Sequence, residues 1–242
     1  MENKARPARP GRRRTLDEQQ ILDAALRLLA SGGAGSVSVR RVAAEVGVAP
    51  NAVYTYFPDK AAVVRGLVER ILGEADHGAF TDPELPWRQR IHALANDLRA
   101  RLIARPGAID LLLAGPMDGP NALALGETLL AILADAGLDP KEAAKASYLL
   151  IVHCLGSIAL EAAELDHSGP APSEEERATE RQAALRAVPA DRYPRTASAA
   201  DVIAEFITTE QFTWGLNRVL DGLAVRQISH SRDHRPTRHP AD

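Results

Sequence analysis

The chain has 242 residues, 45% hydrophobic but only 4% aromatic, with a formal net charge of −3. That length permits one or two domains with a sizeable core, and an apolar share rich in Ala, Leu and Val favours packed helices over sheets. A single cysteine, Cys154, excludes an intrachain disulfide and fits a reducing cytoplasm.

The net charge conceals a split. Through residue 70, twelve basic side chains face seven acidic ones, a net of +5, so the remainder carries −8. A basic N-terminal unit on an acidic body points to a polyanion met by the first part alone. No apolar stretch approaches the roughly 20 uncharged residues of a membrane span. The start, MENKARPARPGRRR, has no apolar run behind its basic residues, so it is not read as a secretory signal. No membrane partner is expected, and the expected location is cytoplasmic.

Residues 1–14, rich in Pro and Arg, are expected to form a disordered basic arm. Such a segment serves as a solubilising tail or touches phosphates and a minor groove, and its place before a basic unit favours contact. Thr15 or Asp17 begins a first helix whose core face holds Ile21, Leu22, Ala25, Leu28 and Leu29, and SGGAG at 31–35 ends it.

Residues 38–60, SVRRVAAEVGVAPNAVYTYFPDK, carry the most information. Ser38 can cap a helix whose buried face is Val39, Val42, Ala43 and Val46. Gly47 stops it, because glycine takes the left-handed conformation without steric cost. Val48 fills the corner, and Pro50 suits the first turn of a second helix over about Pro50–Tyr56. Pro58 ends that helix and Asp59 caps the next. Two helices across a Gly-containing turn form a helix-turn-helix, whose second helix enters the DNA major groove.

The segment VSVRRVAAEVGVAPNAVYTYFPDKAAVV resembles the DNA-binding motif of TetR-family transcriptional regulators, in its V-A-x-x-V-G-V run, its x-V-Y-x-Y-F helix and the following D-K. On the second helix, Asn51, Ala52 and Thr55 are candidates to face base edges, and Pro50 and the Ala52 methyl to pack on thymine methyls. The resemblance implies that Tyr54 and Tyr56 lie against phosphates and sugars and that Lys60 neutralises a phosphate; core packing is the other reading of the two tyrosines. Ser38 and its helix N-terminus offer a second phosphate site. Arg40 can reach a guanine or a phosphate, and Arg41 faces solvent or pairs with Glu45. Val53 and Phe57 are expected in the core.

Helical patterns then continue. They run over Ala61–Leu72, Trp87–Ala104, a short piece at Ala108–Leu113, Pro120–Ala136, and a long apolar helix from Asp139–Pro140 to about Leu165. A polar, proline-interrupted loop at 166–200 holds a short charged helix near 174–187, and a last amphipathic helix covers Ala200–Leu223. The tail at 226–242 is expected to be disordered. The fold class is therefore all-α: a DNA-binding domain at 15–60 with its helix-turn-helix, and a helical bundle at 61–225 for ligand binding and dimerisation.

The body is similar to the ligand-binding domain of the tetracycline repressor class. There a magnesium-bound drug meets two histidines and a glutamate. Glu161 falls at the glutamate position, but the histidine positions fall near Leu112 or Leu113 and near Asp76 or His77, which argues against tetracycline itself. The pocket candidates are Asp76, His77, Asn96, His153 and Glu161. His92 and His153 are also readable as satisfied core histidines, and Cys154 as an inert core thiol. The helices at about 140–165 and 200–223 are expected to build a homodimer. No H-E-x-x-H, G-x-S-x-G, phosphate-loop or C-x-x-C pattern occurs, so no enzyme activity, metal or cofactor is expected. The expectation is a ligand-responsive regulator, a repressor released from a palindromic operator by a small molecule. The alternative is a DNA-binding or architectural factor without an effector.

Overall fold

The computed structural model describes residues 16–75, 77–105, 107–165 and 172–233. The basic arm at 1–14 and residues 234–242 lie outside them. The described residues contain no strand.

Helix α1 spans Glu18–Ser36 and starts where Asp17 accepts a hydrogen bond from the Gln20 N–H at 2.8 Å. The sequence places its end at SGGAG. The helix instead kinks at Gly32 (φ −154°) and Gly33 (φ 64°), then makes one further turn to Ser36. Helices α2 (Val39–Val46) and α3 (Pro50–Tyr54) follow, and α4 (Lys60–Gly73) leads out of the N-terminal unit. The body holds α5 (His77–Thr81), α6 (Trp87–Ile103), α7 (Ala108–Ala114), α8 (Pro120–Asp135) and the long α9 (Pro140–Glu164). After it come α10 (Glu174–Arg186), α11 (Pro194–Ser198), α12 (Ala200–Ala204) and α13 (Thr209–Asp233).

Two expectations for the C-terminal third need correction. The helix expected over Ala200–Leu223 is broken between α12 and α13. Thr208 provides the new start, since its Oγ1 accepts from the Gln211 N–H at 3.2 Å. Phe206 lies in this break and is exposed. Downstream, α13 runs on to Asp233, past the Arg226 at which a tail is expected.

Burial joins the N-terminal unit to the body. One apolar cluster runs from Ile21, Leu29 and Val53 through Leu67 of α4 to Ile109, Leu112 and Ile158. Each such side chain contributes roughly 1.5–3 kcal/mol on burial. A movement of α4 therefore disturbs packing on both sides. A second cluster, with Phe80, Ile91, Leu133, Leu150, Phe212 and Leu216, fills the far end of the body.

Helix α9 is long and apolar enough, by composition, to cross a membrane, which amends the expectation that no such stretch exists. Its apolar residues divide between two faces. Ala143, Ala146, Leu150, Cys154 and Ile158 pack inward. Tyr148 (70% exposed), Val152 and Leu160 (62%) face out at four-residue spacing, with Gly156 in the same row.

Candidate nucleic-acid interface and effector cavity

The helix-turn-helix is set by local chemistry. Ser38 caps α2 by accepting from the Arg41 N–H at 3.3 Å. Gly47 takes the left-handed conformation (φ 75°), and the Val48 N–H closes the turn on the Ala43 carbonyl at 2.9 Å. Pro50 opens α3 at a position where its missing N–H costs nothing. Val53 is fully buried and Phe57 nearly so, which pins α3 against the core. Asp59 then starts α4 by accepting from the Ala62 N–H at 2.7 Å.

With Val53 turned inward, the opposite face of α3 is open. Pro50, Asn51, Thr55 and Tyr54 (48% exposed) face solvent, and Ala52 is half-buried. Tyr54 and Tyr56 are thus outside the core. Tyr56, 36% exposed, donates its hydroxyl to the backbone carbonyl of Leu16. Arg40 and Lys60 are exposed, and Ser38 is half-buried. Of the two readings of Arg41 the structure has the solvent-facing one, and Glu45 pairs instead with Arg27 of α1 at 3.0 Å.

The body contains an apolar cavity of about 110 Å³ within an open recess of about 690 Å³. Its walls come from five helices: Leu72 of α4, Ile91 and Leu94 of α6, Leu112 of α7, Leu125 and Gly126 of α8, and Leu150 and Cys154 of α9. Burial pushes the Cys154 thiol up to about 12, so it is neutral at ordinary pH.

The pocket candidates from sequence do not gather here. Asp76 lies outside the described residues, as does the side chain of His77. Asn96 is exposed on α6. His153 and Glu161 border a separate polar recess beside Ser157, Thr208 and Gln211. Glu161 is moreover occupied. Arg99 grips it with two hydrogen bonds, at 2.7 and 2.8 Å, and Arg177 approaches at 3.6 Å. Glu161 is buried and Arg99 nearly so, which makes this a structural ion pair. His153 stacks on Phe212 with centroids 5.8 Å apart, and His92 pairs with Asn217 at 2.9 Å. Both are half-buried, and the Nε2 of His153 has no hydrogen-bond partner among the described residues. The cavity itself was not legible from polar residues, because only leucine and alanine spacing on α6, α8 and α9 marks it.

Helices α4 and α8 are joined by a further contact that sequence reasoning missed. Glu69 of α4 accepts from the N–H groups of Asn121 (2.7 Å) and Ala122 (3.2 Å), the free donors at the start of α8. The Asn121 side-chain amide donates back to the Glu69 carbonyl at 2.9 Å. Arg65 of α4 also pairs with Asp118 at 3.2 Å. The helix that leaves the N-terminal unit is thus fastened to a wall of the cavity.

Residues 21–67 match the family model for bacterial regulatory proteins of the tetR family, and residues 81–227 match the tetracyclin repressor-like C-terminal domain. The chain belongs to the TetR family. It is a ligand-responsive, DNA-binding transcriptional regulator. Family members bind DNA and small-molecule effectors and form dimers. Among similar proteins is the HTH-type transcriptional repressor DrrR1 of Streptomyces coeruleorubidus, 26% identical over 91% of this chain and 81% of that one. The class A tetracycline repressor from transposon 1721 of Escherichia coli is 28% identical over 88% of this chain and 93% of its own. A possible TetR-family regulator from Streptomyces coelicolor superposes with a TM-score of 0.73 at 28% identity, covering 86% of this chain and 99% of that one. ActR of the same organism, solved with actinorhodin, shares the fold with a TM-score of 0.74 at 20% identity, covering 87% and 98%.

Proposed function

We propose that the chain is a homodimeric repressor that reads a two-fold symmetric operator with α3 and releases it when a small molecule fills the apolar cavity. The outward face of α3, held by the buried Val53, carries this reading. Asn51, Ala52 and Thr55 face base edges, with Pro50 and the Ala52 methyl against thymine methyls. Arg40, Lys60, Tyr54 and the N-terminus of α2 at Ser38 meet the flanking backbone. The DNA-binding domain is residues 15–60, and the body at 61–225 holds the effector. The protein works where its DNA is, in the cytoplasm.

Dimerisation uses the outer row of α9 (Tyr148, Val152 and Leu160, with Gly156 allowing close approach) together with α13, where Trp214 is 57% exposed. An apolar face of this kind is unfavourable in water and is covered by its own copy in a two-fold arrangement. Two reading units then meet two half-sites about one helical turn apart. The effector touches α4 directly at Leu72 and displaces α8, which Glu69 ties to α4. Release follows only as far as effector and DNA favour different positions of α4.

Sedimentation with and without duplex DNA tests this reading. The parent should run as a dimer and bind one duplex per dimer. Val152→Asp should run as a folded monomer and lose specific binding by at least about tenfold. A parent that binds duplex as a monomer, with equal affinity in the variant, would overturn it.

A further inference from the structure

Gly126 lies in the middle of α8, where glycine is unfavourable compared with any ordinary residue. Helix glycines often serve close packing, a use seen at Gly66 and Gly73 of α4 but not at Gly156 or Gly222, where an added Cβ also meets nothing within 4 Å. A Cβ at Gly66 would lie 2.9 Å from Leu22, and one at Gly73 would lie 2.6 Å from the Asn121 side-chain nitrogen. At Gly126 an added Cβ meets nothing within 4 Å. No neighbour requires the glycine, yet it lies in the cavity wall.

The rest of that wall sets the chemistry of what enters. Among its described residues only Cys154 carries a side-chain donor, a weak one, and Met117 adds no more than a weak thioether acceptor. Burial keeps the Cys154 thiol neutral. A charged ligand placed there would lose hydration with no partner to replace it, which disfavours its binding. Glu161 provides no counter-charge, because Arg99 and Arg177 already hold it.

We propose, resting on the ligand-responsive reading above, that the effector is an uncharged, predominantly apolar molecule and that Gly126 is the specificity position that leaves room for it. Selection is by shape and apolar burial. Side chains of increasing size at 126 progressively close the cavity.

The experiment uses a matched pair of fluorescent probes: uncharged phenylnaphthylamine and its sulfonated analogue, anilinonaphthalenesulfonate. Both are titrated into the full chain and into Gly126→Ala and Gly126→Leu. Phenylnaphthylamine should bind the parent, bind Gly126→Ala more weakly, and bind Gly126→Leu at least about tenfold more weakly. The thermal midpoint of Gly126→Ala should rise, since alanine favours the helix and meets no neighbour. The sulfonate should show no component that depends on residue 126. Gly126-dependent binding of the sulfonate with equal affinity would overturn the apolar class, and phenylnaphthylamine binding unchanged in both variants would overturn the role of Gly126. Duplex affinity is measured on the same samples. A parent that fails to bind any duplex contradicts the regulatory reading alone and leaves the probe result to decide the cavity.

Discussion

The hydroxyl of Tyr56, just beyond the recognition helix, donates to the backbone carbonyl of Leu16, the residue before the cap of α1. Forty residues of sequence separate the two. The bond ties Leu16, at the start of the described residues, to the C-terminal end of α3.

Replacing Tyr56 with Phe removes one hydrogen bond and should cost about 1 kcal/mol of stability. Tyr56→Ala should also weaken duplex binding about tenfold with helicity intact. Deleting residues 1–14 should flatten the dependence of log K on log salt by roughly 0.9 for each phosphate that the arm neutralises. Circular dichroism and duplex titrations over a salt series check all three. An unchanged slope in the truncated chain would make the arm a passive tail.

The Arg99–Glu161 pair should reveal itself in stability rather than in effector potency. Breaking a buried pair costs about 3–5 kcal/mol, at the lower end here because Arg99 keeps Glu174 at 3.5 Å and the Thr209 hydroxyl at 3.0 Å. Glu161→Ala should lower the thermal midpoint by roughly 10 °C in a chain of this size. Phenylnaphthylamine affinity at a temperature where the variant is folded should be close to that of the parent. A normal midpoint with weakened probe binding would return Glu161 to the binding site.

The clamp from Glu69 to α8 predicts a local effect. Glu69→Gln should expose the Asn121 and Ala122 amides to exchange about tenfold faster, with little change elsewhere. Gly119→Ala should act alike, because a Cβ at 119 would fall on the Glu69 carboxylate. Equal exchange in both variants and the parent would show that α4 and α8 are joined some other way.

Cys154 gives a pH signature. Its folded thiol stays protonated up to about 12, whereas the ordinary value is 9.0. Below 9.0 both states hold the proton and stability is unaffected by it. Above 9.0 only the unfolded chain ionises, so stability falls as pH rises, by up to about 1.4 kcal/mol per pH unit. Urea unfolding of the parent and Cys154→Ala at pH 8 and pH 10.5 isolates this effect. The parent should lose more stability over that interval than the variant.

Local chemistry made the N-terminal unit legible: Ser38, Gly47, Pro50 and Asp59 each do in the structure what their residue types dictate in sequence. The long-range pairings were not legible. Nothing in sequence spacing joins Arg99 to Glu161, 62 residues on, or Glu69 to Asn121. The break before α13 did carry a readable signal, the T-x-x-Q of Thr208 and Gln211, but apolar periodicity across Phe206 and Ile207 conceals it. Likewise, polar residues drew attention to His153 and Glu161, while the cavity is marked by a glycine and by leucines that equally well describe a solid core.

Sequence selection from a random duplex library, run with the parent and with Asn51→Ala, tests the central claim most directly. The parent should enrich a two-fold symmetric sequence with half-sites about one helical turn apart. Asn51→Ala should keep that symmetry and spacing but relax the preference at one base pair in each half-site, by about 1–3 kcal/mol. No enrichment by the parent, or the same preferences for both proteins, would contradict α3 as the element that reads DNA.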